Sequence, residues 1–172
     1  LINSNIVNYN NDLEEKMINF VIKYIEILVE YSKPTKLLYI AIDGSAPKAK
    51  LNQQRMRRFK KFYEKNELSL IKKRNNIEED LNDEWDTNAI TPGTLFMDKL
   101  STKLKSYFSN RKQLKIIISD SNIPGEGEHK LLEHIRNNYE EEEYNVIYGL
   151  DADLIMLCLI ANKPNIHLLR ET

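Results

Sequence analysis

Ile116-Ile117-Ile118-Ser119-Asp120-Ser121-Asn122-Ile123-Pro124-Gly125-Glu126-Gly127-Glu128-His129 is the stretch on which the reading of this chain turns. The apolar run predicts a strand and Pro124-Gly125 a tight turn. Leu131, Leu132 and Ile135 recur at helical spacing and predict a helix over 126–138. Glu126 and Glu128 then fall at the turn, beside two glycines that free the backbone to adopt unusual angles and let a ligand approach closely. Two further apolar runs end in acids. Leu37-Leu38-Tyr39-Ile40-Ala41-Ile42 precedes Asp43, and a run over 145–150 precedes Asp151-Ala152-Asp153. Three strands that each end in carboxylates predict one acidic cluster at one edge of a sheet.

The remaining elements follow from periodicity. Residues 1–12 read as a loop or tail. A helix from Leu13, capped by Asp12, carries Met17, Ile18, Val21, Ile25 and Leu28 and stops at Tyr31-Ser32-Lys33-Pro34. The unbroken apolar run over 37–42 predicts a strand buried on both faces. Pro47 suits the first turn of a long helix over 48–75. Residues 76–90 read as acidic and irregular, with Trp85 in a loop. Thr91-Pro92-Gly93-Thr94 opens a helix carrying Phe96, Leu100, Leu104 and Phe108. Strands at 114–119 and 166–169 and a helix at 153–161 complete the chain, and Glu140 to Glu143 reads as a solvated loop. Alternation of strands and helices argues for an α/β fold with a mostly parallel sheet flanked by helices. Ligands of such sheets gather beyond the carboxyl ends of the strands, where these acids lie.

Composition bounds the function. The 172 residues suffice for one domain; 41% are hydrophobic, 30% charged, and the net charge is −1. Overall charge therefore says nothing about a nucleic-acid partner, and local charge must decide. A single cysteine, Cys158, excludes an internal disulfide and a cysteine-rich zinc site, and reads as a small core residue. The apolar runs are too short to span a membrane. The chain opens without Met, on an Asn-rich stretch, and reads as a piece of a longer intracellular protein.

Clustered carboxylates repel one another and tend to take up protons unless cations neutralise them. Oxygen ligands of this kind favour Mg²⁺, with Mn²⁺ as the alternative, over zinc. Two such ions can support phosphodiester cleavage. An extended Asp151-Ala152-Asp153 would place both carboxylates on one side. Plainer readings stand beside these: Asp43 as a turn or cap residue, Glu126 and Glu128 as partners of a helix dipole, Asp-x-Asp as chance. Over 48–61 the long helix carries Lys48, Lys50, Arg55, Arg57, Arg58, Lys60 and Lys61 and no acid. Lys50, Gln54, Arg57, Arg58 and Lys61 share one helix face, suited to phosphate oxygens; a solvated charged face is the alternative. His129 reads as a helix-start residue or a partner of the ligands rather than a ligand, His134 and His167 as structural or exposed. Trp85 could stack a base, but more simply pins a loop to the core.

Four long stretches in order resemble the N-terminal catalytic region of the XRN family of 5′→3′ exoribonucleases. They are 41–59 (Ala-Ile-Asp-Gly-Ser-Ala-Pro-Lys-Ala-Lys-Leu-Asn-Gln-Gln-Arg-Met-Arg-Arg-Phe), 88–94 (Asn-Ala-Ile-Thr-Pro-Gly-Thr), 119–130 (Ser-Asp-Ser-Asn-Ile-Pro-Gly-Glu-Gly-Glu-His-Lys) and 148–157 (Tyr-Gly-Leu-Asp-Ala-Asp-Leu-Ile-Met-Leu). The resemblance covers roughly residues 13–171. It implies a three-layer architecture of the PIN and flap-nuclease kind, and a single domain over 1–172 that is a fragment of the family's nuclease domain. It implies that Asp43, Glu126, Glu128, Asp151 and Asp153 bind metal and are catalytic, and that Lys50, Gln54, Arg57 and Arg58 hold a 5′-monophosphate. The activity implied is processive Mg²⁺-dependent hydrolysis of single-stranded RNA to nucleoside monophosphates by a monomer, in the cytoplasm or nucleus. The family has one further metal-binding Asp upstream and one downstream, and a second region that closes the pocket, all outside this chain; the activity of this piece alone is therefore a separate question. Two alternatives remain at this level: a structure-specific DNA nuclease of the flap-endonuclease type, and a non-catalytic module that binds RNA 5′ ends.

Overall fold

The structure is a computed structural model; it describes residues 2–77, 85–109, 111 and 114–171, without the side chains of 2–11, Ala49 and Lys61. The acidic part of the 76–90 stretch, at 78–84, and the Lys61 side chain of the basic face thus lie outside the described residues. Among the described residues there are five α-helices and four strands: α1 Ile2–Ser32, β1 Leu37–Ala41, α2 Lys48–Arg74, α3 Leu95–Phe108, β2 Lys115–Ser119, α4 Gly127–Asn138, β3 Asn145–Tyr148, α5 Asp153–Ala161 and β4 Ile166–Leu169. A short 3₁₀ turn, Thr87–Ala89, precedes α3.

Order and type agree with the sequence reading, with three differences. First, α1 begins at Ile2, so the segment read as a loop is helical and Asp12 is an interior residue rather than a cap. Asn-rich sequence is a poor helix former but does not forbid one when a strong apolar stripe follows in phase. Second, Met17, Ile18 and Ile25 of α1 face the core as the spacing predicts, but Ile22 takes the buried place expected of Val21, which is exposed. Third, the described strands form two parallel pairs, β1–β2 and β3–β4, rather than one continuous sheet. Leu37 pairs with Lys115 through to Ala41 with Ser119, and Asn145 with Ile166 through to Tyr148 with Leu169.

Each pair has its own core. Ile18 and Ile22 of α1 pack with Phe96, Met97, Leu100, Leu104 and Phe108 of α3, and Leu38, Ile40, Ile116 and Ile118 close this cluster from the strands. Burial of such side chains contributes about 1.5–3 kcal/mol each. Thr94 caps α3 by accepting from the Met97 N–H at 3.4 Å. Trp85 packs edge-on against Phe96 at 5.0 Å between ring centroids, so it pins its loop to the core. The second core joins Leu132 and Ile135 of α4 to Ile147 and Leu154. Helix α4 connects the two: His134 stacks on Tyr39 of β1 at 4.6 Å. Tyr24 of α1 and Tyr148 of β3 share a 2.7 Å hydroxyl contact that adds a second link. Every residue of β1 remains partly exposed, so the expectation of a strand fully buried on both faces holds only in that side chains of both faces find partners.

Candidate metal centre and phosphate face

The acids are positioned by the ends of the parallel strands. After β1, the backbone of Ile42 donates to Ser119 at 2.9 Å, extending the ladder by one rung. The two loops beyond are then stitched together: Gly44 N–H donates to the Gly125 carbonyl at 2.8 Å, and Gly125 N–H to the Ser45 carbonyl at 3.0 Å. Gly125 has φ +105°, a conformation that side-chain-bearing residues rarely adopt. Gly44 has no alternative either, because a Cβ there would lie 1.8 Å from the Ile123 carbonyl oxygen. This glycine contact fixes the turn that carries Glu126 against the turn that carries Asp43.

Glu126 is the residue before α4 and Glu128 its second residue. Glu126 is buried and its side chain makes no capping bond to α4; its carboxylate instead pairs with the Lys50 ammonium. Asp43 is exposed and accepts from the Gly127 N–H at 2.6 Å, so it is Asp43, from another strand, that satisfies the first amide of α4. After β3, the backbone of Ala152 is helical (φ −66°, ψ −30°), not extended. Asp151 accepts from the Asp153 N–H at 3.1 Å. The two carboxylates therefore converge through a turn at the start of α5, because a side chain that bonds the amide two residues on turns the chain out of the strand. Arg170 steadies this turn by donating to the Leu150 carbonyl at 2.6 Å.

Ligand-type atoms of Glu128, Asp151 and Asp153 lie within 4.8 Å of one another, and those of Glu126, Glu128 and His129 do likewise. Glu128 is common to both groups. Four of the five predicted acids are thus brought together from two strand ends; Asp43 belongs to neither group and is engaged by Gly127. His129, read from the sequence as accessory, offers a ring nitrogen alongside Glu126 and Glu128. The cluster carries the electrostatic mark of crowded anions. Burial first, and then the charges of Asp151 and Glu126, push the Glu128 carboxyl above its ordinary range, while Lys50 acts against the rise. The donor set is mostly carboxylate oxygen within a few ångströms, which fits a hard divalent cation better than a soft one.

The basic face begins at the same place. Lys50 lies in the first turn of α2, with its backbone N–H donating to the Pro47 carbonyl at 2.9 Å. Gln54 is half-buried; Arg57 and Arg58 are exposed and form no ion pair among the described residues.

Sequence reasoning missed the groups beneath the site. Lys130 is buried and donates to the carbonyls of Ile42, at 2.8 Å, and Asp120, at 2.9 Å, tying the ends of β1 and β2 together one residue before Asp43. Burial lowers its pKa, with Asp120 and Asp43 opposing. Asp120 is buried too and pairs with Lys105 of α3. The available signal was a lysine one turn after Gly127, on the side of α4 that faces β1.

Comparison with known proteins shows the family. The description "XRN 5′-3′ exonuclease N-terminus" matches residues 3–172. A "5′-3′ exoribonuclease 2" of Cryptococcus neoformans is 45% identical over 183 residues, covering 93% of this chain and 16% of that protein. A counterpart from Aspergillus fumigatus is 43% identical over 185 residues, 92% of this chain and 18% of its own length. A "5′-3′ exoribonuclease 1" of Schizosaccharomyces pombe is 44% identical over 171 residues, 92% of this chain and 13% of its own. The chain thus spans less than a fifth of the length of these curated relatives. With the family description covering all but two of its residues, the chain belongs to the XRN 5′-3′ exonuclease N-terminal family.

Proposed function

We propose that this chain is the catalytic part of a 5′→3′ exoribonuclease that hydrolyses single-stranded RNA from a 5′-monophosphate end. The observation that carries the reading is the meeting of two opposite charge sets: the acids Glu126, Glu128, Asp151 and Asp153 converge where the basic face of α2 begins. The names of the relatives support ribonucleotide rather than deoxyribonucleotide substrate.

In this reading Lys50, Gln54, Arg57 and Arg58 receive the terminal phosphate. Guanidinium groups grip its oxygens in pairs, and charge-assisted bonds of this kind are about twice as strong as neutral ones. The anchored phosphate sets the distance to the next phosphodiester, which is the one presented to the acids. Asp43, Glu126, Glu128, Asp151 and Asp153 would hold Mg²⁺, or Mn²⁺ in its place, with His129 in reach. Bound there, the metal supplies charge neutralisation for a polyanionic substrate and activation of water. Water adds to phosphorus and the bond to the 3′ oxygen of the first nucleotide breaks. The products are a nucleoside 5′-monophosphate and an RNA shortened by one that again carries a 5′-monophosphate, the ligand of the basic face. Each cut thus regenerates the end that the basic face binds, so the same step repeats from the new 5′ end. A cap or triphosphate carries bulk and charge beyond what one helix face accommodates.

The architecture is read in the same light: the parallel pairs with helices beside them are parts of a three-layer, PIN-like domain. The test is degradation of 5′-monophosphorylated RNA with Mg²⁺, beside 5′-hydroxyl RNA and DNA of the same sequence. Release of mononucleotides that is strongest for the monophosphate RNA and falls at least about a hundredfold in Asp151→Ala supports the proposal. Equal cleavage of DNA, or endonucleolytic products, overturns it.

A further inference from the structure

Lys50 belongs to both charge sets at once. It heads the face shared with Gln54, Arg57 and Arg58, yet its ammonium is spent on the Glu126 carboxylate. Glu126 is the most buried acid of the cluster, its side chain 10% exposed against 36% for Lys50. The cation can therefore leave without opening the core, whereas the anion cannot follow it. Arg57 and Arg58, two turns further along, have no such engagement among the described residues.

We propose that Lys50 is the resident counter-ion of the acidic cluster, that it yields Glu126 to an incoming divalent cation, and that the freed ammonium completes the 5′-phosphate face. The inference rests on the reading of the two charge sets given above. The pairing commits one Glu126 oxygen and one of the three ammonium donors to each other, so it competes with a metal for Glu126 and with a phosphate for Lys50. Exchanging one for the other relieves both conflicts together. Metal loading then strengthens phosphate binding, and by linkage phosphate strengthens metal binding by the same factor. The released side chain has only one helical turn to cover to reach Gln54, its neighbour on the same face. RNA ends are thereby captured by the metal-loaded protein in preference to the empty one.

The experiment measures binding, not turnover. Mn²⁺ affinity is determined for the wild type, Lys50→Gln and Lys50→Arg. Removing the competing cation in Lys50→Gln is expected to tighten Mn²⁺ about fivefold, while Lys50→Arg, which keeps a cation at Glu126, stays near the wild type. A nuclease-resistant 2′-O-methyl oligonucleotide with a 5′-phosphate is then titrated with and without Mn²⁺, beside its 5′-hydroxyl form. The wild type should prefer the phosphate form more strongly when Mn²⁺ is present, and Lys50→Gln should lose that metal dependence. Equal or weaker Mn²⁺ affinity in Lys50→Gln, absence of Mn²⁺ binding by all three proteins, or an unchanged metal effect on phosphate preference, overturns the proposal. Arg57→Ala separates the two layers: it should lose the phosphate preference and keep wild-type Mn²⁺ affinity. A wild type without phosphate preference under either condition would sink the basic-face reading and the coupling with it, while the Mn²⁺ comparison would still decide whether Lys50 is the counter-ion.

Discussion

Lys130 shows how much of the site depends on a residue that takes no part in the chemistry. Its ammonium holds two backbone carbonyls, of Ile42 and Asp120, that the parallel ladder leaves behind. Lys130→Met keeps the length of the side chain and strands both acceptors, so we expect a loss of about 1–3 kcal/mol in urea unfolding. A variant as stable as the wild type would mean that water replaces the ammonium. Asp120 allows a test by pH. The Lys105 hydrogen bond first, helped by Asn122 and opposed by burial, holds its carboxyl below the ordinary 3.8. A depressed folded value means that the unfolded chain takes up the proton first. The stabilisation is therefore complete above pH 3.8 and is lost as pH falls through the folded value. Asp120→Asn should lower stability by about 1.5 kcal/mol at neutral pH. The gap from the wild type should shrink in unfolding curves below pH 3.8; a constant gap would assign the effect to packing.

Turns, not strands, do the delicate work at the scale of elements. Gly125 accepts from the Gly44 N–H and donates to the Ser45 carbonyl across the two loops, and Gly44 lies under the Ile123 carbonyl, which is backbone and cannot swing aside. Gly44→Ala is expected to cost about 1–3 kcal/mol and to move the Glu126 turn away from Asp43. Chemical denaturation reads the first effect and weakened Mn²⁺ binding the second; a variant with wild-type values in both would show that the loops are not held by this contact. The elements themselves were legible because their periods were clean: Phe96, Leu100, Leu104 and Phe108 recur on one face and all four are buried. Acids at strand ends were legible for the same reason, since the strand period says where each run stops. What could not be read was local competition. Asp151 bends its own chain by bonding to the Asp153 amide, and Asp43 engages Gly127; both are choices between nearby partners that spacing does not reveal.

Taken whole, the molecule leaves much apolar surface uncovered. Met156, Leu159 and Ile160 of α5 are 59%, 68% and 65% exposed, although the helix is apolar on every side. A helix apolar all round is ordinarily a buried one, yet only Leu154 of α5 is fully covered. Surface of this kind commonly serves contact with other protein. Replacing Leu159 and Ile160 by Lys should reduce binding of a hydrophobic dye while leaving the unfolding midpoint within about 0.5 kcal/mol of the wild type. A large loss of stability would mean that these side chains support the core after all. The split into two strand pairs was likewise beyond the sequence, because a run of apolar residues names a strand but not its neighbour.

Helix α2 has a mechanical side as well. Its 27 residues make a beam about 40 Å long, rooted beside the acids, and its described residues from Arg55 to Arg74 are exposed except Ser69 and Lys72. Arg58 stands ten residues from the root, about 15 Å along the axis. A tilt of about 5° at the root would shift it by roughly 1 Å, as much misplacement as reaction geometry can bear. The far half of the beam multiplies any sideways push into torque at that root, so the tip, remote from the acids, is the cheapest handle by which the spacing between Arg57, Arg58 and the acids could be adjusted.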